Sequence, residues 1–173
     1  MPWPVTHILV ADKLYEQHFS HLDRKKFILG NCFPDIRYPA KIDRKRTHFK
    51  DIPLAEIQSQ SSFHAGVLFH TMVDHLWNMH VHGHRQALFS EIPHNQPMIH
   101  TMKILQDRYL YNKDNGWGEI AEFFDEVQPE ESTFGASETM VKRWHSILGN
   151  YLGKPPTIDD LNMLKLSLSA GLV

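Results

Sequence analysis

The stretch from Ser61 to Met79 reads SSFHAGVLFHTMVDHLWNM. Phe63, Val67, Leu68, Val73 and Trp77 supply apolar positions at helical period, and no proline interrupts them, so the stretch predicts one long helix. On a helix, residues four apart stand one turn above the other. Gly66, His70 and Asp74 therefore share a stripe. An imidazole nitrogen and a carboxylate oxygen so placed can reach one metal ion, at about 2.0–2.2 Å each if the ion is zinc. The competing reading is an exposed ion pair worth about 0.2–0.5 kcal/mol. The apolar neighbours Val67, Val73 and Trp77 turn the stripe inward, where a carboxylate without a cation is costly. Gly66, lacking a side chain, lets another backbone or a metal-bound ligand approach closely there.

Outward from this segment, every strong pattern is helical. A first helix is expected over Val5–His18, with Thr6 as its N-cap and Ile8, Leu9, Ala11, Leu14 and Tyr15 on its apolar face. A short helix around Arg24–Leu29 is expected to end at Gly30, with Pro34 imposing an extended turn that leaves Asp35 on a loop. Residues 36–60, with Pro39, Pro53 and the basic residues Lys41, Arg44, Lys45 and Arg46, read mostly as an ordered loop. Gly83, Pro93 and Pro97 are expected to break the chain after the long helix. Further helices are expected over Met98–Tyr111, Gly118–Val127 and Ser137–Leu152, and after Pro155-Pro156. Period-two alternation flanked by hairpin turns is absent, so the fold class is all-α, with one domain over residues 1–173.

Composition narrows the function. The 173 residues are 42% hydrophobic and 22% charged, and a net charge of -2 gives no bulk attraction to nucleic acid or anionic membrane. Cys32 is the single cysteine, which excludes an internal disulfide framework and fits a reducing compartment. No stretch reaches the roughly 18 apolar residues of a membrane span. The opening residues, MPWPVTH, have neither a basic leader nor a following apolar core, so a cytoplasmic location is expected. The outlying number is 13 histidines, six of them from His64 to His84. Histidine is the commonest transition-metal side-chain ligand.

Three residues outside the long helix join His70 and Asp74 as candidates. His7 lies in the first turn of an apolar helix, Asp35 follows Phe33-Pro34 on a rigid turn, and His48 closes the basic loop between Thr47 and Phe49. Taken singly, each is more often a satisfied polar residue than a ligand. Arg37, two residues from Asp35, is the candidate phosphate-binding residue of the basic cluster, because a guanidinium matches phosphate oxygens bidentately. His145 and Trp144 read as surface and core.

Taken in order, Thr6-His7, Gly30, Pro34-Asp35, His48-Phe49, Phe63-His64-Ala65-Gly66 and His70-x3-Asp74 resemble the zinc-dependent phospholipase C group and its relatives among the single-strand nucleases. His80, six residues beyond Asp74, also falls where that family has a histidine. The resemblance covers the first half of the chain. It implies an all-α helical bundle with a metal site at one end, in which Asp35, His48, His70 and Asp74 bind one zinc or another divalent transition metal. Asp74 would bridge to a neighbouring ion bound by His7, and His80 would serve a further one. Asp35 and Asp74 are the catalytic candidates that it implies. The family's late His-x3-Glu pair has no match: His94 is followed four residues later by Met98, and spacing does not choose among His84, Glu91 and His100 as substitutes.

The implied activity is hydrolysis of a small phosphoester or a phospholipid-like substrate by metal-activated water. Two other readings stay open. One is a metal-binding module with reduced catalysis, suggested by the missing His-x3-Glu pair. The other is a His-Asp-type nucleotide phosphohydrolase, which requires a His-Asp dipeptide where this chain has Asp74-His75.

Overall fold

The computed structural model describes residues 2–50, 52–89, 96–114 and 116–160, and among these every regular element is helical. In chain order the α-helices are α1 (Pro4–His18), α2 (Arg24–Cys32), α3 (Arg37–Ala40), α4 (Leu54–Gln58), α5 (Ser62–Phe89), α6 (Gln96–Tyr111), α7 (Trp117–Glu122) and α8 (Glu138–Leu152). Short 3-10 turns cover Pro34–Ile36, Arg44–Arg46, Phe123–Asp125 and Pro129–Phe134. The all-α class expected from the sequence is the class observed. No helix among the described residues is long and apolar enough to cross a membrane.

Two glycines set the central packing, that of α2 against α5. A Cβ on Gly30 would lie 2.0 Å from the Phe63 carbonyl oxygen, and one on Gly66 would lie 2.1 Å from the Phe27 carbonyl oxygen. The backbones touch where both side chains are missing. Gly66 thus does what its place on the stripe suggests. Gly30 does not terminate α2, which runs on to Cys32; its missing side chain serves the crossing. Around the contact, Phe19, Phe27 and Phe69 pack with ring centroids 4.5–5.4 Å apart, and all three are fully buried.

The start of α1 is held from a distance. Pro4 occupies the first turn, where its missing N–H costs nothing. Trp3, not Thr6, is the N-cap, and its side chain caps nothing. Instead, Asp107 of α6 accepts hydrogen bonds from the Val5 and Thr6 amides at 3.0 Å and from the Thr6 hydroxyl at 2.7 Å. Tyr151 of α8 donates to the same carboxylate at 3.1 Å. One buried aspartate therefore ties three helices together and satisfies amides that an α-helix leaves free at its start. The Trp144 indole of α8 also donates to the Cys32 carbonyl, anchoring the end of α2.

Several local expectations change. Asp35 lies in a 3-10 turn that leads straight into α3, not on an extended loop, because Phe33 to Arg37 all keep helical backbone angles. The region 36–60 contains α3, the Arg44–Arg46 turn and α4, and is less a loop than its prolines imply. Pro53 proves to be the N-cap of α4. The long helix continues through Gly83 to Phe89, since a lone glycine costs a helix only about 1 kcal/mol. His145 is buried, not exposed: its Nε2 lies 2.7 Å from Glu131 Oε1 and its Nδ1 lies 3.1 Å from the Phe124 carbonyl. Of the helix expected after Pro155-Pro156, the part past Asp160 falls outside the described residues.

The glycine crossing leaves no space for a methyl group, and the atoms in the way are backbone. Gly66→Ala should therefore destabilise the fold by about 3 kcal/mol, the upper end for overpacking a core. Urea denaturation would measure this, and a loss below about 0.5 kcal/mol would contradict the packing described.

Candidate metal centre

The helix crossing delivers the ligands. Asn31, next to Gly30, faces α5, and its carbonyl oxygen lies 2.8 Å from His70 Nδ1. The Asn31 side-chain amide donates to the His7 carbonyl at 2.9 Å, fixing α1 to the same point. His7 and His70 stack with ring centroids 4.0 Å apart. His48 stands perpendicular to His70 at 5.2 Å, with its Nδ1 2.9 Å from the Thr47 hydroxyl. These residues and Asp74 are all buried.

Their inner atoms converge without bonding one another. Asp74 Oδ1 lies 3.4 Å from His7 Nε2, and Asp74 Oδ2 lies 3.6 Å from His48 Nε2 and 3.8 Å from His70 Nε2. None of these pairs forms a hydrogen bond, and all these atoms are shut off from solvent, as is Asp35 Oδ1. Two ligands of a tetrahedral zinc, each about 2.0–2.1 Å from it, stand about 3.3–3.4 Å apart, close to these spacings. Among the described residues, two overlapping sets have ligand atoms within 4.8 Å of one another: His7, His70 and Asp74, and Asp35, His48 and His70. The chain thus carries a buried histidine and aspartate cluster that could hold a metal.

Protonation sharpens the case. A carbonyl only accepts, so His70 Nδ1 carries the proton donated to Asn31. Burial and the neighbouring His7 hold the His70 imidazole well below its ordinary pKa, so the ring is neutral and Nε2 presents a bare lone pair. That lone pair faces Asp74 Oδ2. Burial opposes ionisation of Asp74, yet the imidazoles of His48, His7 and His70 hold its carboxyl well below the usual carboxylate range. Two acceptors therefore face each other in a dry interior, an arrangement that a cation between them would stabilise. Burial and the charge of Asp74 push the Asp35 carboxyl up. The donor set, imidazole nitrogen with carboxylate oxygen, suits zinc and similar divalent transition metals. A backbone carbonyl orienting the outer nitrogen of a ligand histidine is the usual second support of such sites.

The other sequence candidates fall elsewhere. His80 lies on the exposed side of α5, its ring 4.5 Å from that of His84, whose Nδ1 is 2.8 Å from the His80 carbonyl oxygen. It belongs to neither ligand set. His100 packs beside Trp3, at 6.0 Å between ring centroids. Glu91 and His94 lie outside the described residues, as do the side chains of His82 and Met98. Arg37 is half-buried, with its guanidinium 3.7 Å from the Tyr38 ring centroid and its Nε shut off from solvent without a hydrogen-bond partner.

Sequence reasoning missed Asn31 and Lys103. Asn31 acts through its backbone oxygen, which no residue type signals. Lys103 of α6 sits near the Trp77 ring, and burial pushes its ammonium pKa down against the charges of Asp35 and Asp74. A lysine on an amphipathic helix reads as solvated. A cleft of about 430 Å³ adjoins the cluster, and His48 and Asp74 are among the residues that line it. Comparison of the chain with family models, with curated proteins and with solved structures returns no match.

A metal bound only by the folded state stabilises it by about 2.7 kcal/mol when free metal is a hundredfold above its dissociation constant. Zinc added to chelator-stripped protein should therefore raise the melting temperature, and His70→Ala should abolish most of that rise. Identical melting with and without zinc would show that the cluster does not bind it.

Proposed function

We propose that this chain is a zinc-dependent hydrolase of small phosphoesters, allied to the zinc-dependent phospholipase C group, with another divalent transition metal as the alternative ion. The observation that carries the reading is the pair of facing acceptors, His70 Nε2 and Asp74 Oδ2, beside a cleft that Asp74 and His48 line. A divalent ion held there would polarise a phosphoryl oxygen and acidify water. The order of His7, Asp35, His48, His70 and Asp74 along the chain supports the family resemblance.

The protein's own groups have distinct tasks in this reading. His70, oriented by Asn31, and His48, oriented by Thr47, present Nε2 inward. Asp74 offers one oxygen to His7 and the other to His48 and His70, so its charge is shared by the whole cluster. Asp35 would accept and hold the proton of the attacking water on Oδ1, an atom whose surroundings already favour a proton. Arg37, two residues away, would pair with phosphoryl oxygens. Cys32 is buried and its thiol is pushed up by burial, so it is no nucleophile.

The cleft favours catalysis over a purely structural metal. Structural zinc sites close all positions with protein ligands, whereas catalytic ones keep one open. The His-Asp nucleotide phosphohydrolase reading gains no support, because His75 follows Asp74 and is exposed outside the cluster. Cytoplasmic action belongs to the same proposal.

Zinc-loaded protein should hydrolyse nitrophenyl phosphoesters in a chelator-sensitive manner. Asp74→Asn keeps the side chain's shape but removes the shared charge, and should lower turnover by roughly two orders of magnitude or more. Equal turnover in Asp74→Asn and wild type would place the chemistry elsewhere.

A further inference from the structure

The two candidate ligand sets have one residue in common, His70. Its Nδ1 donates to the Asn31 carbonyl at 2.8 Å, which leaves Nε2 as its only coordinating atom, with a single lone pair to give. One ion uses that lone pair, so the two sets cannot both be filled.

The remaining atoms do not complete a second site. Asp74 Oδ2 faces His48 Nε2 at 3.6 Å and His70 Nε2 at 3.8 Å, so an ion held by those imidazoles draws that oxygen. A second ion is then left with His7 Nε2 and Asp74 Oδ1, 3.4 Å apart. Catalytic zinc takes three protein ligands. Two polar side chains of α6, one turn apart on the same face, approach this corner: Lys103 and Asp107. Asp107 is spent, because its two oxygens accept four hydrogen bonds from Val5, Thr6 and Tyr151.

Lys103 is a cation where a ligand would be needed. It is half-buried, with Nζ 5.7 Å from the centre of the Trp77 ring, and Trp77 stands one turn beyond Asp74 on α5. Gln106, on the same stretch of α6, accepts from the Trp77 indole at 3.3 Å and fixes the two helices at this point. Burial lowers the pKa of the Lys103 ammonium, while the charges of Asp35, Asp74 and Asp107 oppose the loss of its proton.

Resting on the reading of the cluster as a metal centre, we infer that it holds one ion at a time, bound through His70 and Asp74, and that Lys103 is the fixed cation that bars a second. This departs from the pair of bridged ions that the family resemblance implies. Lys103 is not a ligand and need not touch substrate; it sets the number of ions.

The test counts zinc and needs no turnover. His80→Ala and His84→Ala first remove the exposed histidine pair of α5. The stripped protein is then equilibrated with chelator-buffered zinc, at free concentrations that leave lone surface histidines empty, and zinc per chain is read by elemental analysis. Zinc-edge absorption fine structure on the same samples reads metal–metal scattering. We expect a plateau at about one zinc per chain and no metal neighbour at the roughly 3.5–4 Å of two-metal sites. Lys103→Glu replaces the cation by a carboxylate and should carry the ratio to about two, with the metal–metal signal appearing. Lys103→Gln, a milder change should the first variant fail to fold, should admit a weaker second zinc at free zinc where Lys103 protein stays at one. A ratio near two with metal–metal scattering while Lys103 is present overturns the inference and leaves a zinc-dependent hydrolase intact. A ratio near one in both folded Lys103 variants overturns the role given to Lys103. Failure to bind any zinc would end both this inference and the hydrolase reading.

Discussion

The close approach of α2 and α5 at Gly30 and Gly66 is the constraint on which the rest depends. With no Cβ on either side, the two backbones come near enough for the Asn31 carbonyl to reach His70 Nδ1. The same residue reaches the His7 carbonyl with its side chain, so one short segment of α2 registers α1 and α5 together. Asp107 adds a second fixed point by accepting from the start of α1 and from Tyr151. A candidate site assembled from α1, α5 and the 35–48 region would otherwise demand three independent placements.

The cluster that results costs stability unless a cation is present. Three imidazoles and two carboxylates share a largely buried space with no arginine or lysine ion-paired to them among the described contacts. Buried polar atoms without partners each cost about 1–3 kcal/mol. A fold keeps such a group where function offsets the cost. The contrast with His145 and Glu131 is instructive. That pair is as deeply buried, but both ring nitrogens and both carboxylate oxygens find partners, and it acts as internal structure.

Much of this was legible in the sequence, for physical reasons that differ by residue. Helical period exposed α1, α5, α6 and α8, because a long amphipathic helix repeats its signal over many turns. His70 and Asp74 were readable as a pair because four-residue spacing is a geometric fact of the helix. His7, Asp35 and His48 lie far apart in sequence, and only their order, through the family resemblance, suggested that they meet. Short elements defeated the reading. The Pro34–Ile36 turn, α3 and α4 hold too few residues to show a period, and Pro34 and Pro53, which look like breakers, stand at the starts of the turn and of α4. Gly30 carried two meanings, helix end and close contact, and only the neighbouring helix decides between them. The cleft, which needs walls from two segments of chain, had no sequence signal at all.

The central claim is that a divalent ion belongs between His70 and Asp74. Crystals of the zinc-loaded protein, measured on both sides of the zinc absorption edge, test it most directly. The account predicts an anomalous peak within about 2.0–2.3 Å of His70 Nε2 and an Asp74 carboxylate oxygen. A peak confined to exposed histidines such as His80 and His84, with Asp74 hydrogen-bonded directly to His7 or His48, would contradict it.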